Sequence, residues 1–464
     1  MPYDFEHGSG TEADPYLIAT EADLWGIFDV NSDDQPNFVG NYFRQTADIT
    51  ITQSVSTNIL IRCVYDGNNH RISGLKTSLA SLGTSTWKNS IFLNCTNEDL
   101  ESWEYPTVFQ WIFLEEEGVG ENKLDNIQLL NSPGIYIFAG QNIVATNLIV
   151  KNSGGFAGGT ILDSKISECY GENLAFTQQS RCSGAGAFCD VFGCSFENIV
   201  IRNVEYEDEY WLAGGMVGKT SYSNFKNCVV LGAKVIGEDS SGGFAGQIFG
   251  GTFEDCFALG VTVEVRPGLP NQPETWPTWH SGGFAGEIFA NRSVGDPDYV
   301  PFVFRRCIVH GTADVDATAG GFAGAIWQEG GSFFEQCGAE VSVINTNENA
   351  GGFAGEIWGS LDSLEEGAVC KDCYALGDSV LSNLENAISN GGFVGVADKV
   401  IFERCFSKGL VSGGTNKGGF CGLGYDDIEC IDCYYDSETS GQSDTSMGTP
   451  KTTAEMKTQS TFSG

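Results

Sequence analysis

Cysteine is the residue of this chain whose number and spacing most suggest chemistry, with 16 in 464 residues. Two pairs, Cys370 with Cys373 and Cys430 with Cys433, have the CxxC spacing of zinc sites and redox dithiols. Five further cysteines follow an aromatic residue by three positions: Cys228, Cys256, Cys307, Cys337 and Cys405. The second cysteine of each CxxC pair occupies that same slot, and the first replaces the aromatic residue. Strand side chains alternate, so positions three apart face opposite sides unless the chain bends between them. We therefore expect a ladder of buried thiols and neither a metal nor a cofactor.

Two carboxylates, Glu287 and Glu356, are the second candidates for chemistry. Each directly follows a Gly-Gly-Phe-Ala-Gly motif and precedes an isoleucine, and Gln247 and Ala325 stand at the equivalent places. If the isoleucines point inward, their neighbours form an outer row. Stacked strands lie about 4.8 Å apart, so two carboxylates that stand two coils apart would be separated by about 9.6 Å. An inverting glycosidase needs roughly 6.5–9.5 Å. The sequence shows no third partner for the pair, which favours a contact surface over catalysis.

An aromatic residue stands two positions beyond each of these residues. The predicted outer aromatic row consists of Phe249, Phe289, Trp327 and Trp358. Trp276 and Trp279 belong to an inserted, proline-rich loop at 266–279. We predict that these aromatic residues, with Glu287 and Glu356, bind a surface glycan or a partner protein, because rigid scaffolds commonly carry binding residues on such loops. The alternative is that the loop folds over the row and makes it a small satellite core.

The charge balance narrows the classes of partner. Asp and Glu number 61 against 24 Lys and Arg, a net charge of −37. This excludes nucleic acid, whose recognition needs a cationic surface. Membrane insertion is not expected, because no run of 18 apolar residues occurs. The N-terminal residues lack the basic and apolar regions of a signal peptide. Together with the many cysteines, this favours folding in a reducing cytosol.

A five-residue repeat reveals the elements that must position these residues. Gly-Gly-Phe-Ala-Gly or a close variant begins at Gly154, Gly214, Gly242, Gly282, Gly320, Gly351, Gly391 and Gly418, with a worn copy at Gly186. Short β-branched segments broken by glycine lie between the copies, as in strands and turns. Such units bury an apolar face only by stacking. The fold expected is a right-handed parallel β-helix with the motif phenylalanines inward, and with glycines for close stacking and for positive φ at corners.

The ends of the chain have the features of caps. Thr20 precedes Asp23 by three positions, which resembles a capping box, and 452–457 is a second short helical signal. We expect a cap at 1–37, irregular first coils at 38–150, the repeat helix at 151–433 and a C-terminal cap at 434–464.

The repeats resemble the GLUG-motif family of bacterial and phage proteins. Three other segments are similar to that family: Gly8–Ile18, Tyr65–Leu75 and Cys433–Lys457. The resemblance implies a β-helix that occurs in adhesins, phage fibres and non-catalytic parts of secreted peptidases. We expect a non-enzymatic structural or adhesive protein, first a phage virion component such as a tail fibre or spike, and a homotrimer if it is a spike. The alternatives are a bacterial cell-surface adhesin module, extracellular in location, and a polysaccharide depolymerase.

Overall fold

A computed structural model describes most of the chain. The residues outside this description are 1–2, 31–36, 54–59, 77–78, 80, 97–106, 113–120, 177–183, 208–211, 238–239, 266–279, 290–300, 316–317, 328–330, 347, 360–366, 383–387 and 463–464. The chain forms two compact units. Unit 1 is Met1–Thr177 with Ala187–Ile201, and unit 2 is Gln178–Gly186 with Arg202–Gly464.

Short parallel strands make up most of both units. Strands β1 to β18 are Tyr16–Ile18, Tyr42–Gln45, Ile49–Thr50, Leu60–Ile61, Val64–Asp66, Arg71–Ser73, Ser81–Leu82, Thr86–Leu93, Thr107–Ile112, Asn122–Leu130, Tyr136–Gln141, Ile143–Thr146, Ile149–Lys151, Gly155–Leu162, Lys165–Phe176, Gly184–Ala185, Phe188–Phe192 and Ser195–Glu207. Strands β19 to β33 are Leu212–Gly214, Val217–Lys226, Val229–Gly237, Ser240–Gly242, Ala245–Glu254, Phe257–Val265, His280–Gly282, Ala285–Phe289, Phe302–Arg305, Ile308–Val315, Thr318–Gly320, Ala323–Trp327, Phe333–Glu335, Gly338–Thr346 and Ala350–Gly351. Strands β34 to β47 are Ala354–Trp358, Ala368–Lys371, Tyr374–Ala375, Ser379–Ser382, Ser389–Gly391, Val394–Asp398, Val400–Glu403, Phe406–Ser407, Leu410–Ser412, Asn416–Gly418, Cys421–Gly424, Ile428–Ile431, Tyr434–Asp436 and Thr449–Lys451.

Within the part of the chain that the structure describes, the helices are short and lie near the two ends. They are α1 (Glu21–Gly26), α2 (Ser437–Ser440), α3 (Thr453–Met456) and a final 3₁₀ turn at Gln459–Phe462. Thr20 and Asp23 form the predicted capping box of α1, and Thr452 and Glu455 form one at α3. Both capping signals are confirmed, since each threonine accepts from the N3 backbone and each N3 carboxylate accepts from the cap.

The coils of unit 1 begin earlier in the chain than residue 38, where the sequence predicts the first of them. Strand β1 already pairs in parallel with β2, and β2, β5, β8 and β10 continue the stack. Asparagines in the left-handed region turn the corners, and their side-chain amides bond from coil to coil. Asn152 donates to Asn131 at 2.8 Å, and Asn173 donates to Asn152 at 3.1 Å. Asparagine tolerates this conformation better than most residues, so these ladders stabilise coils that lack the glycine repeat.

Unit 2 is a parallel β-helix in which equivalent strands of successive coils pair in register. One face stacks β20, β23, β26, β30, β34, β39 and β44. A second stacks β21, β24, β28 and β32, and a third stacks β19, β22, β25, β29, β33, β38 and β43. Each strand lies beside its equivalent one repeat later in the sequence, which is the parallel β-helix that the repeat predicts.

The phenylalanine stacks form the core, as the sequence predicts. The motif phenylalanines Phe156, Phe244, Phe284, Phe322, Phe353, Phe393 and Phe420 are all fully buried. In unit 2 the rings from Phe244 to Phe420 follow each other at 4.7–4.9 Å and within 6° of parallel. A second stack, Phe225, Phe253, Phe304 and Phe334, meets the first edge to face. Offset and edge contacts of this kind are the favourable aromatic geometries.

The motif glycines allow close approach of backbones, but the prediction of positive φ for them is wrong. None of them has φ in the left-handed region. A Cβ on Gly246 would lie 2.5 Å from the carbonyl oxygen of Gly218 and 2.9 Å from the backbone nitrogen of Ala213. Any side chain here would therefore collide with main chain, which cannot move aside as a side chain does.

The corners are formed instead by the residue before each ladder cysteine. Asn227, Asp255, Arg306, Gln336, Asp372, Arg404 and Asp432 have φ between 50° and 54°. The chain bends at Asp372 and both Cys370 and Cys373 are fully buried, which is the exception to strand alternation that a bend between the two residues allows. Cys370 pairs with Phe334 on one side and Phe402 on the other, which confirms that it replaces the aromatic residue.

Candidate functional site

The candidate site lies in unit 2 on the strands that follow the glycine motif. Strands β23, β26, β30 and β34 carry Phe249, Phe289, Trp327 and Trp358 at equivalent positions. Each ring is half-buried, while the preceding isoleucine is fully buried. This alternation is what a strand with one face on a core produces.

The rings form a row that is longer than the sequence analysis predicts. Phe249 and Phe289 lie 5.6 Å apart between ring centroids, and Trp327 and Trp358 lie 6.3 Å apart. Tyr425 extends the row, because its ring lies 5.5 Å from Trp358 and its side chain is 54% exposed. The sequence does contain the signal for Tyr425, which follows the motif at Gly418 by the same seven residues, but the row was predicted from the four middle copies of the motif alone, and Asp398 holds the equivalent place in the copy between. We call these five residues the aromatic strip.

A lysine occupies one end of the aromatic strip. Lys219 pairs with Gln247 where β20 lies beside β23, one coil before the first ring of the strip. Its ammonium lies 5.1 Å from the centroid of the Phe249 ring. At this distance a cation is attracted by the ring face.

The row of Gln247, Glu287, Ala325 and Glu356 is in register as predicted, but its predicted outward exposure is wrong at two positions. Ala325 is fully buried and Glu356 is 7% exposed. Parity along a single strand predicts only which side a residue takes. It does not show that β25 and β33 bring polar side chains to the same side at these coils.

His280, at the start of β25, is the residue that covers this row. It is 3% exposed, with Nε2 3.3 Å from a carboxylate oxygen of Glu356 and Nδ1 3.8 Å from one of Glu287. Glu287 also accepts a hydrogen bond of 2.6 Å from Gln247, and Asn349 donates one of 3.3 Å to Glu356. We call Gln247, His280, Glu287, Asn349 and Glu356 the imidazole–carboxylate cluster.

The small side chain of Ala325 makes this cluster possible. Ala325 separates Glu287 from Glu356 in the register, so His280 reaches across its coil to contact the second carboxylate. The sequence does contain a signal for this arrangement. His280 precedes Glu287 by seven residues, and Asn349 precedes Glu356 by the same interval. A search for polar pairs at that spacing around each motif would find the third partner.

The geometry of the cluster fits the compensation of buried charge better than it fits catalysis. A neutral imidazole donates one hydrogen bond, and Nε2 of His280 is within hydrogen-bond distance of Glu356 at 3.3 Å, whereas Nδ1 at 3.8 Å from Glu287 is beyond it. Buried carboxylates need such partners, because leaving one unpaired costs several kcal/mol. An inverting glycosidase leaves the space between its two carboxylates open for water and sugar. Here the imidazole contacts both carboxylates and fills that space.

Two tryptophans of the strip carry buried donors. The indole nitrogens of Trp327 and Trp358 are buried and, within the described residues, have no hydrogen-bond acceptor. An unsatisfied buried donor costs roughly 1–3 kcal/mol. Phe249 and Phe289 cover the same row without this cost.

The other predicted residues are two loop tryptophans and the cysteines. Trp276 and Trp279, with their loop, lie outside the described residues, so the prediction that they bind stays a prediction. The described cysteines have no disulfide partner, and all except Cys430 are buried. No group of three or more potential ligands among the described side chains is arranged to hold a metal ion. No helix in the described ranges is long and apolar enough to cross a membrane.

Burial raises the pKa of several thiols. It raises the pKa of Cys63 and Cys169 to about 12, and the pKa of Cys370 well above the ordinary thiol value. Because only the thiolate is a good nucleophile or metal ligand, these thiols behave as small apolar core residues.

Known proteins resemble the chain only in part. No protein-family model matches it. Over 97 residues it is 34% identical to a protein of Evansella cellulosilytica described as "Putative Gly-rich membrane protein", which covers 20% of this chain and 11% of that protein.

Two solved structures show a weak likeness. A "putative immunoglobulin A1 protease" from Bacteroides ovatus has a TM-score of 0.24 and 19% identity, over 73% of this chain and 80% of its own. Geobacillus virus E2 ORF18 has a TM-score of 0.26 and 10% identity, over 74% of this chain and 60% of its own. The function proposed below therefore rests on this chain's own side chains.

Proposed function

We propose that the protein is a non-enzymatic structural β-helix that binds a surface glycan through its aromatic strip. The observation that carries this proposal is the strip itself: five aromatic side chains at one position of the coil, none of them fully buried, with Asp398 at that position in the coil before Tyr425. Rings in a row give an apolar surface against which sugar rings can pack, and aromatic residues are common at the energetic centres of binding surfaces. The setting proposed first is a phage tail fibre or spike, and the second is a bacterial cell-surface adhesin.

The rigidity of the scaffold supports a binding role. The backbone under the strip is paired in register with the coils on either side, and the imidazole–carboxylate cluster fixes the same strands by side-chain contacts. A surface that is held in place before the ligand arrives loses little entropy on binding.

The polysaccharide depolymerase is a weaker candidate. Its two carboxylates are Glu287 and Glu356, and His280 contacts both. Release of reducing sugar from host capsule, abolished by Glu356→Gln, would overturn the non-enzymatic proposal.

The double variant Trp327→Ala/Trp358→Ala tests the binding proposal. We expect binding to a glycan array and to host cells to fall by at least tenfold, or about 1.4 kcal/mol, with a small change in melting temperature. The matched control is Tyr374→Ala/Phe406→Ala, a half-buried pair of stacked outer rings away from the strip. Loss of several kcal/mol of stability with unchanged binding of the folded fraction would show that the strip is core.

The oligomeric state is part of the proposal. A spike is most simply a homotrimer, and large apolar outer rows are rarely left bare in a monomer. Light scattering at micromolar protein gives the mass directly, and a monomeric mass would contradict the trimer.

A further inference from the structure

We infer that the ligand of the aromatic strip is a linear polysaccharide with free amino groups, which lies along the coil stack with one sugar ring on each aromatic ring. The inference rests on the proposed function and adds the direction, the length and the charge of the ligand.

The direction follows from how the rings are placed. The strip takes one aromatic side chain from each coil except that of Asp398, so it runs along the stacking direction and across the strands. A ligand that lay parallel to a strand would meet a single ring, because the next outward position on that strand is Glu287 or the buried Glu356. Only a chain that follows the stack can contact Phe249, Trp358 and Tyr425 at once.

The length follows from the spacing. Neighbouring ring centroids lie 5.5–6.3 Å apart wherever two rings of the strip are in contact. This is close to the strand spacing of about 4.8 Å, and a linked hexopyranose unit spans a similar length. The repeat length of such a polymer therefore matches the spacing of the rings, and about five sugars cover the strip from Phe249 to Tyr425.

The charge follows from what surrounds the strip. Asp398 stands between Trp358 and Tyr425 in the register, half-exposed, and its carboxylate accepts from the backbone of the exposed Asp426 at 3.1 Å. Glu287 lies beside the rings at the other side, with its side chain 17% exposed. A polymer of uronic acids would bring like charges to these carboxylates, which costs affinity, whereas ammonium groups are attracted to them.

The protein itself shows an ammonium group on this surface. The Nζ atom of Lys219 lies over Phe249, at the end of the strip where no carboxylate of the row is present. An amino sugar can place its own ammonium over the rings further along in the same way. Cation–π attraction is strongest on tryptophan, and the two tryptophans lie at the acidic end, next to Asp398.

Replacement of tryptophan by phenylalanine distinguishes two roles of the indole rings, ligand binding on the outer surface and packing in the core. Among the described residues no acceptor reaches their buried nitrogens, so phenylalanine at Trp358 removes an unsatisfied donor while it keeps an apolar ring. We expect Trp358→Phe to keep or raise the melting temperature and to weaken binding of the amino polymer.

The direct test is calorimetric titration with three oligosaccharide series of increasing length. These are β-1,4-linked glucosamine oligomers with free amino groups, the same oligomers N-acetylated, and oligogalacturonates. We expect affinity for the amino series to rise to the pentamer and then level off. It should exceed that for the acetylated series by about tenfold, equivalent to about 1.4 kcal/mol, and should fall with added salt. Oligogalacturonates should bind most weakly.

Asp398→Asn is the matched variant, because asparagine keeps the acceptor for Asp426 and removes only the charge. It should weaken the amino series about two- to fivefold, the size of one exposed charge interaction, and leave the acetylated series unchanged. Equal binding of the three series, or no dependence on length, would overturn this inference and leave glycan binding in place. No binding of any glycan, on the array or in solution, would overturn the proposed function itself.

Discussion

Removal of one ring from the inner stack tests how the β-helix is held together. Phe322 is fully buried, with Phe284 stacked on it at 4.8 Å and Phe353 at 4.9 Å, and it meets the second stack edge to face. Phe322→Ala should destabilise unit 2 by about 3–5 kcal/mol, the usual cost of deleting a buried phenyl ring. Phe249→Ala removes the same group from a half-buried position. It should cost about 1 kcal/mol, roughly half the value for full burial.

Hydrogen exchange measured peptide by peptide is the appropriate assay, because a stack of repeats opens locally and its coils support mainly their neighbours. Phe322→Ala should reduce protection most in the coils that contain Phe284 and Phe353, and least in coils near the C-terminus of the chain. Phe249→Ala should leave the pattern nearly unchanged. An equal cost for the two variants, or a loss of protection spread evenly over unit 2, would refute the assignment of Phe322 to a stacked core.

Three further outcomes are expected. Gly283→Ala should destabilise the protein by about 1–3 kcal/mol, because the new Cβ would collide with the backbone carbonyl of Gly321. Chemical denaturation measures the loss of stability, and an unchanged free energy of unfolding would contradict the close approach of the two backbones. Ala325→Leu should move His280 away from the second carboxylate, seen as a changed NMR chemical shift of the imidazole protons at fixed pH that Ala325→Ser does not produce. Burial raises the pKa of Cys63 to about 12, above the unfolded value of about 8.5. Its contribution to stability is therefore complete below that value and is lost as pH rises toward 12. Thiol titration should find almost no reaction in the native protein at pH 8 and close to sixteen thiols after denaturation, and a much lower total would show disulfides.

The sequence by itself determined the coil architecture and the inner residues. A glycine motif that recurs at 27–40 residues and an aromatic residue three before each cysteine place one equivalent side chain per coil, and stacking then aligns them. The inward phenylalanines, the thiol ladder and both capping boxes follow from local pattern alone, because backbone geometry fixes which side each residue takes.

Tertiary structure alone decided how the outer residues meet. Parity along a strand gave the row of Glu287 and Glu356, but His280 reaches them from another face of the coil, across the small Ala325. The bend at Asp372 turned a CxxC pair inward that alternation would have separated. Tyr425 has the same offset from its motif as the other rings, but only the structure shows that it contacts Trp358 past the intervening coil of Asp398. Each of these contacts depends on the distance between strands that are not neighbours in sequence, and a linear pattern carries no information on that distance.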